Sequence, residues 1–216
     1  MANKPRVLER SEIDKLFAGL PGKSLRTVRF RAALELLYRG GLRVAEACAV
    51  RPGDILWQSG KVVVACGKGG KERKVEFCDA KSGALIIDTL LAWEAMRPKP
   101  AHYFLCKADG GKLSTRYIQA RLKRLANKVL PPERAMLCTP HVLRHTRATD
   151  LLEDGWPLTD VQAFLGHSTP RTTTIYIHLR GTKHPERLRE RAAMAAQLET
   201  QLKAIQAQLL LLQNGD

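Results

Sequence analysis

A chain of 216 residues is long enough for one good hydrophobic core, or for a domain with a helical appendage, and too short for two ordinary large domains. Its 36 Lys and Arg against 21 Asp and Glu give a formal charge of +15, which repels itself unless a polyanion is the usual partner, and nucleic acid fits that role best. Five cysteines at 48, 66, 78, 106 and 138 contain no C-x-x-C pair, which argues against a disulfide framework or a zinc site and for reduced core thiols. With no apolar signal core in MANKPRVLERSE and a leucine run, 209–212, too short to span a bilayer, a cytoplasmic protein is expected.

Ser11 followed by Asp14 predicts the start of a short helix, and Ser24 the start of a second in which Val28, Ala32, Leu36 and Leu37 recur at helical spacing. Gly40-Gly41 stops that helix, so Arg43 begins a new one, VAEACAV, from a loop-to-helix junction suited to a phosphate ligand. From Lys61 to Phe77 the pattern turns to β, with VVVAC, the turn GKGGK and KVEF reading as a hairpin that carries Lys68 at its tip. A helix from about Ser82 to Met96, the break RPKPAH, the apolar stretch YFLC and a helix opened by Ser114 follow; the last bears Arg116, Arg121, Lys123, Arg124 and Lys128.

Thr139-Pro140 is a cap followed by proline at the first helical position, and it predicts a helix running to Gly155. His141 and Arg144, three apart in its first turns, share a face near a helix end whose dipole favours an anion. Thr159 is expected to cap a further helix that Gly166 ends, leaving His167 on a loop and Tyr176 in the next helical stretch, TTTIYIHL. Beyond Pro185, Leu198, Leu202, Ile205, Leu209 and Leu212 are spaced four, three, four, three; this suits either a short coiled-coil seam or a terminal helix packed on its own domain.

Singly, these features have bland readings: a helix-start arginine is usually solvated, GKGGK is usually just a turn, and a lone tyrosine usually packs. In combination, GGLRVAEA at 40–47, GKGGKERKV at 67–75, TPHVLRHTRATDLL at 139–152 and LGHSTPRTTTIYIHL at 165–179 resemble the tyrosine recombinases, or lambda-type integrases, with wording closest to the Xer type. The family pattern of an Arg, a hairpin Lys, H-x-x-R, a His in LGH and a Tyr nine residues on is met by Arg43, Lys68, His141, Arg144, His167 and Tyr176. The resemblance spans most of residues 1–184. It implies an α+β fold, mainly α-helical with a small antiparallel β-sheet, and a site-specific DNA recombinase acting on double-stranded DNA through a covalent 3′-phosphotyrosine.

The chemistry asks for these residue types. Breaking a phosphodiester without losing its energy needs a protein nucleophile that stores the phosphoryl group as an ester, the role the resemblance gives to Tyr176. A phenol with an ordinary pKa near 10 needs a base, and His141 is the one implied. Arg43 and Arg144 would offer bidentate forks to the non-bridging oxygens, with His167 adding a hydrogen bond to the same phosphate. The departing 5′ oxygen needs a proton, from Lys68 by the motif, with Lys71 as the nearest competitor. Glu46 is expected to orient Arg43 or its loop. No metal or other cofactor is implied, since guanidinium groups take the neutralising role that Mg²⁺ plays in other phosphoryl transfers.

Most members of the family carry a DNA-clamping domain ahead of the catalytic one, and this sequence begins almost directly at the latter. The organisation expected is a catalytic domain over 1–184 and a helical tail over 185–216 available for docking onto a neighbouring copy. The partners expected are DNA, further copies as a dimer or tetramer, and an accessory DNA-bending or directionality factor. A type IB topoisomerase, or a non-catalytic DNA-binding protein retaining the fold, stays open as an alternative.

Overall fold

Where backbone donors find an acceptor at a helix start, a helix begins, and the caps of this chain set its architecture. The structure is a computed structural model that describes residues 7–65, 72–76 and 83–166. Helix α1 (Arg10–Ala18) is followed by α2 (Leu25–Tyr38) and α3 (Val44–Ala49), then by strands β1 (Ile55–Leu56), β2 (Lys61–Val64) and β3 (Arg73–Glu76). Helices α4 (Gly83–Met96), α5 (Thr115–Val129), α6 (Pro132–Leu137), α7 (Pro140–Glu153) and α8 (Leu158–Leu165) complete the described part. This is the expected α+β class, mainly helical with a small antiparallel sheet, and no described helix is long and apolar enough to cross a membrane.

Helix α2 forms the centre and packs against α4 and α7. Ser24 caps it by accepting from the Thr27 amide, and Val28, Phe30, Ala32, Leu34, Leu36 and Leu37 are buried on nearly all sides, so beyond Arg31 the helix has no polar face to show to water. Its buried Arg29 is satisfied by donating to the Cys106 carbonyl at 2.8 Å and to the Tyr117 hydroxyl at 3.1 Å. The sheet has the order β1-β2-β3, with Ile55 opposite Val62 and Val64 opposite Arg73. Alternation puts Val62, Val64 and Val75 in the core. Helix α5 buries Ile118, Leu122, Leu125 and Ala126 and turns Arg116, Lys123, Arg124 and Lys128 to solvent.

Some starts differ from the sequence reading. Helix α1 begins at Arg10, not Ser11, because the Glu12 carboxylate reaches back to the Glu9 amide at 2.7 Å and is itself clamped by Arg134 of α6. Helix α8 begins after Pro157, whose fixed φ of −57° sets the entry, while the Thr159 hydroxyl turns to Asp160 instead of capping. The apolar stretch 103–106 runs between α4 and α5 without a regular element, apart from a bridge from Cys106 to Lys112. It threads through the core, with Phe104 donating to the Val50 carbonyl and accepting from the Trp93 indole, both at 2.8 Å. Cys48, Cys106 and Cys138 are buried free thiols, and burial pushes Cys138 up to about 12, in keeping with inert core cysteines.

Candidate active site

Two glycine-punctuated junctions carry the site. Gly41 adopts φ +61° and delivers Arg43 as the residue capping α3; Gly166 adopts φ +66° at the end of α8, one residue before His167. A side chain at Gly41 would strike Leu165 at 2.8 Å, and one at Gly166 would strike Arg73 at 2.7 Å, so the two junctions lie against each other with β3 beneath them. Residues distant in sequence are thereby drawn to one place.

A single carboxylate organises them. Glu46 accepts from the Arg43 amide at 2.7 Å and from Arg43 Nη1 at 2.9 Å, which fixes both the helix start and the guanidinium. The same carboxylate takes a bidentate pair from Arg73, Nη1 at 3.0 Å and Nη2 at 2.7 Å, and Arg144 Nη1 stands 3.9 Å away. Burial opposes its charge, but the hydrogen bonds from Arg73 and the Arg43 amide win and hold Glu46 below the usual carboxylate range. Three guanidinium groups therefore share one negative charge.

The two expected phosphate forks differ in setting. The Arg43 side chain is half-exposed beyond its bond to Glu46. Arg144 is buried at 4 % exposure, and its two Nη atoms donate to the Gly41 carbonyl at 2.5 Å and the Leu165 carbonyl at 2.6 Å. Besides facing the cleft, Arg144 thus ties together the turn that precedes Arg43 and the helix end that precedes His167.

Thr139 caps α7 as expected, accepting from the Val142 amide at 3.2 Å. His141 in the first turn is exposed, and its Nε2 lies 2.7 Å from Nε2 of His145, one turn further along; the rings meet edge to face with centroids 4.2 Å apart. Burial, then His141 and Arg144, push the half-buried His145 down to about 4. Arg43, Gln119, Thr139, His141 and Arg144 line a cleft of about 350 Å³ above these groups.

Of the six residues singled out by sequence, Arg43, His141 and Arg144 come together here, whereas Lys68, His167 and Tyr176 lie outside the described residues, as do Lys71 and the tail 185–216. Arg73 and His145 were not singled out. The signal for His145 was present, since four residues after His141 on a helix means the same face. For Arg73 it was not, because its role depends on which strand position faces α3 and α8.

Residues 6–183 match the phage integrase family. The tyrosine recombinase XerC of Xanthomonas campestris pv. campestris is 40% identical over 179 residues, covering 81% of this chain and 52% of the relative. The tyrosine recombinase XerA of Thermococcus kodakarensis is 34% identical over 197 residues, covering 90% and 65%. The chain thus spans roughly half to two thirds of these relatives. Among solved structures, the XerA recombinase superposes with a TM-score of 0.66 at 27% identity, covering 89% of this chain and 66% of that one. The XerH recombinase bound to palindromic difH substrate in a post-cleavage complex also gives 0.66, at 25% identity, covering 90% and 54%. The described helices and three-stranded sheet have the fold of tyrosine recombinase catalytic domains, and the chain belongs to the phage integrase family.

Proposed function

We propose that this chain is a site-specific DNA recombinase that cleaves and rejoins strands through Tyr176. The observation that carries this reading is the cluster of cations at the cleft, where, among the described residues, Arg43, Arg73 and Arg144 converge on the carboxylate of Glu46 beside His141. Such a site attracts an anion of phosphate character, at the N-terminal end of the fourteen-residue helix α7. Family membership supplies the chemistry that an anion site alone does not specify.

On this reading Arg43 and Arg144 stabilise the charge that builds on the scissile phosphate, and Glu46 holds Arg43 in place before substrate arrives. His141 accepts the phenolic proton as Tyr176 attacks, forming the 3′-phosphotyrosyl ester and releasing a 5′ hydroxyl whose proton comes from Lys68. His167 donates to the same phosphate. Rejoining is the reverse, with a 5′ hydroxyl from another strand attacking the ester. The catalytic unit is assigned to 1–184, and the tail 185–216 to contacts between copies assembled on DNA.

Incubation with a nicked suicide duplex followed by denaturing electrophoresis tests the core claim. A covalent band from the native chain, absent for Tyr176→Phe and undiminished by EDTA, is expected; no band, or a band retained in the variant, would sink it. A 5′-bridging phosphorothiolate, whose sulfur leaves without a proton, should rescue Lys68→Ala; failure would shift the acid to Lys71. Light scattering with DNA on the full chain and on a truncation at 184 reads the tail, and equal masses would count against its role.

A further inference from the structure

The two histidines of α7 stand in a relation that the roles assigned above do not use. His141 and His145 approach Nε2 to Nε2 at 2.7 Å, a hydrogen-bond distance that holds a single proton when both rings are neutral. The edge-to-face packing, with an interplanar angle of 86°, fixes the exposed ring of His141 upon the half-buried ring of His145. Since His145 is pushed down to about 4 by burial, His141 and Arg144, it stays neutral through the whole range in which DNA is handled and cannot compete for the proton as a cation. Arg43 and Arg144 line the same cleft as His141, and the charge of Arg144 opposes an imidazolium at His145.

The position of that one proton decides what His141 is able to do. If His145 donates, His141 Nε2 is occupied as an acceptor, its Nδ1 carries the remaining hydrogen, and the ring has no lone pair left to take a proton. If His141 donates, its Nδ1 lone pair is preserved and the ring is a base. We propose that His145 is a positioning residue that accepts a hydrogen bond from His141 Nε2–H, and so fixes His141 in the tautomer whose Nδ1 accepts the nucleophile's proton. The inference rests on the base role given to His141 above. It adds a residue that touches neither DNA nor the reacting atoms and acts through the ring it holds.

Nitrogen-15 NMR of the imidazole rings in the full-length DNA-free protein reads the tautomer directly, independently of activity. Native protein should show a protonated Nε2 and an unprotonated Nδ1 on His141, and His145→Ala should move both resonances toward the mixture of a freely exchanging ring. In parallel, adduct formation on the suicide duplex should fall about tenfold to a hundredfold in His145→Ala, by analogy with removal of the hydrogen-bond partner that orients a metal-bound imidazole, with DNA affinity unchanged. His145→Gln, whose side-chain carbonyl can accept from the same Nε2–H, should recover most of the rate and also covers the case in which the alanine variant folds poorly. A native His141 protonated on Nδ1, or resonances and cleavage in both variants equal to native, would overturn the proposal. Should the native chain form no adduct at all, the recombinase reading falls, and the NMR result still decides whether the pair exists.

Discussion

Helix α7 carries a polar network at each end, and the two are built on different charge balances. Toward its start, Arg43, Arg73 and Arg144 surround one carboxylate, Glu46, and the half-exposed Arg43 faces a cleft. Toward its end, Arg10 is matched by Asp154 at 2.8 Å and Asp150 at 3.5 Å, Tyr38 donates to Asp150 at 2.7 Å, and Arg147 adds its charge near Asp150. The matched network joins α1, α2 and α7. Among the described residues the other gathers three guanidinium groups on one carboxylate beside an opening, a state that is tolerable where an anion is to be received. Charge balance, more than the number of polar groups, separates a network that holds a fold from one that awaits a ligand.

The largest expected effect is on the exposed member of the network beside the cleft. Arg43→Ala should lower covalent-adduct formation by about a thousandfold, the scale of losing an arginine from a phosphoryl-transfer site. Its ion pair with Glu46 is half-solvated, so the urea midpoint should move little. A large loss of stability with modest loss of cleavage would place Arg43 with the structural group instead. Glu46→Gln is the converse experiment. Removing the carboxylate that these guanidinium groups share should lower stability by about 3 kcal/mol, the scale of a broken buried pair. Because Glu46 is held below the usual carboxylate range, its contribution is complete above about 4.5, the ordinary carboxylate value, and is lost as pH falls through the depressed pKa; the variant should lack that acid-side loss in urea titrations at successive pH values.

How far the site was legible in sequence follows from the same geometry. Caps and stops are local, so Ser24, Ser114, Thr139-Pro140 and Gly166 marked helix ends correctly, and the β2–β3 pairing followed from the β-rich runs VVVAC and KVEF on either side of a glycine turn. Arg43 and Arg144 were legible as motif members, yet the attachment of Arg144 to the Gly41 and Leu165 carbonyls was not, because it depends on three segments meeting. Arg73 was hidden for the same reason. Strand β1 and helix α6 are too short to leave a periodic trace, and Thr159 gave a false cap signal where Pro157 sets the start.

A third arrangement sharpens the rule about balance. Glu35 of α2 is 3 % exposed, and Arg39 Nε comes within 3.2 Å of its Oε2 but off the line of a hydrogen bond. Burial, only partly offset by Arg39 and Arg31, pushes this carboxyl up to about 7. A raised carboxyl pKa favours folding below the unfolded value of about 4.5 and progressively less as pH rises toward 7. Stability should therefore decline across that interval by up to about 3 kcal/mol, because a tenfold change in proton activity is worth about 1.4 kcal/mol to a group that titrates in only one of the two states. Glu35→Gln should flatten this slope in urea titrations between about pH 4.5 and 7.5; an unchanged slope would show that Arg39 compensates the charge despite its poor alignment.

The smallest effect tests whether the two ends of α7 are independent. Tyr38→Phe removes the hydroxyl that donates to Asp150 and leaves the ring packing in place. Asp150 keeps Arg10 and Arg147 nearby, so the loss should be about 1 kcal/mol, that of one hydrogen bond, with no change in the rate of adduct formation per folded molecule. Asp150 and Arg144 are separated by fewer than two turns of one helix. A fall in cleavage larger than the fall in folded fraction would mean that the matched network also sets the pitch at which α7 presents His141 and Arg144, and that its balance serves the site as well as the fold.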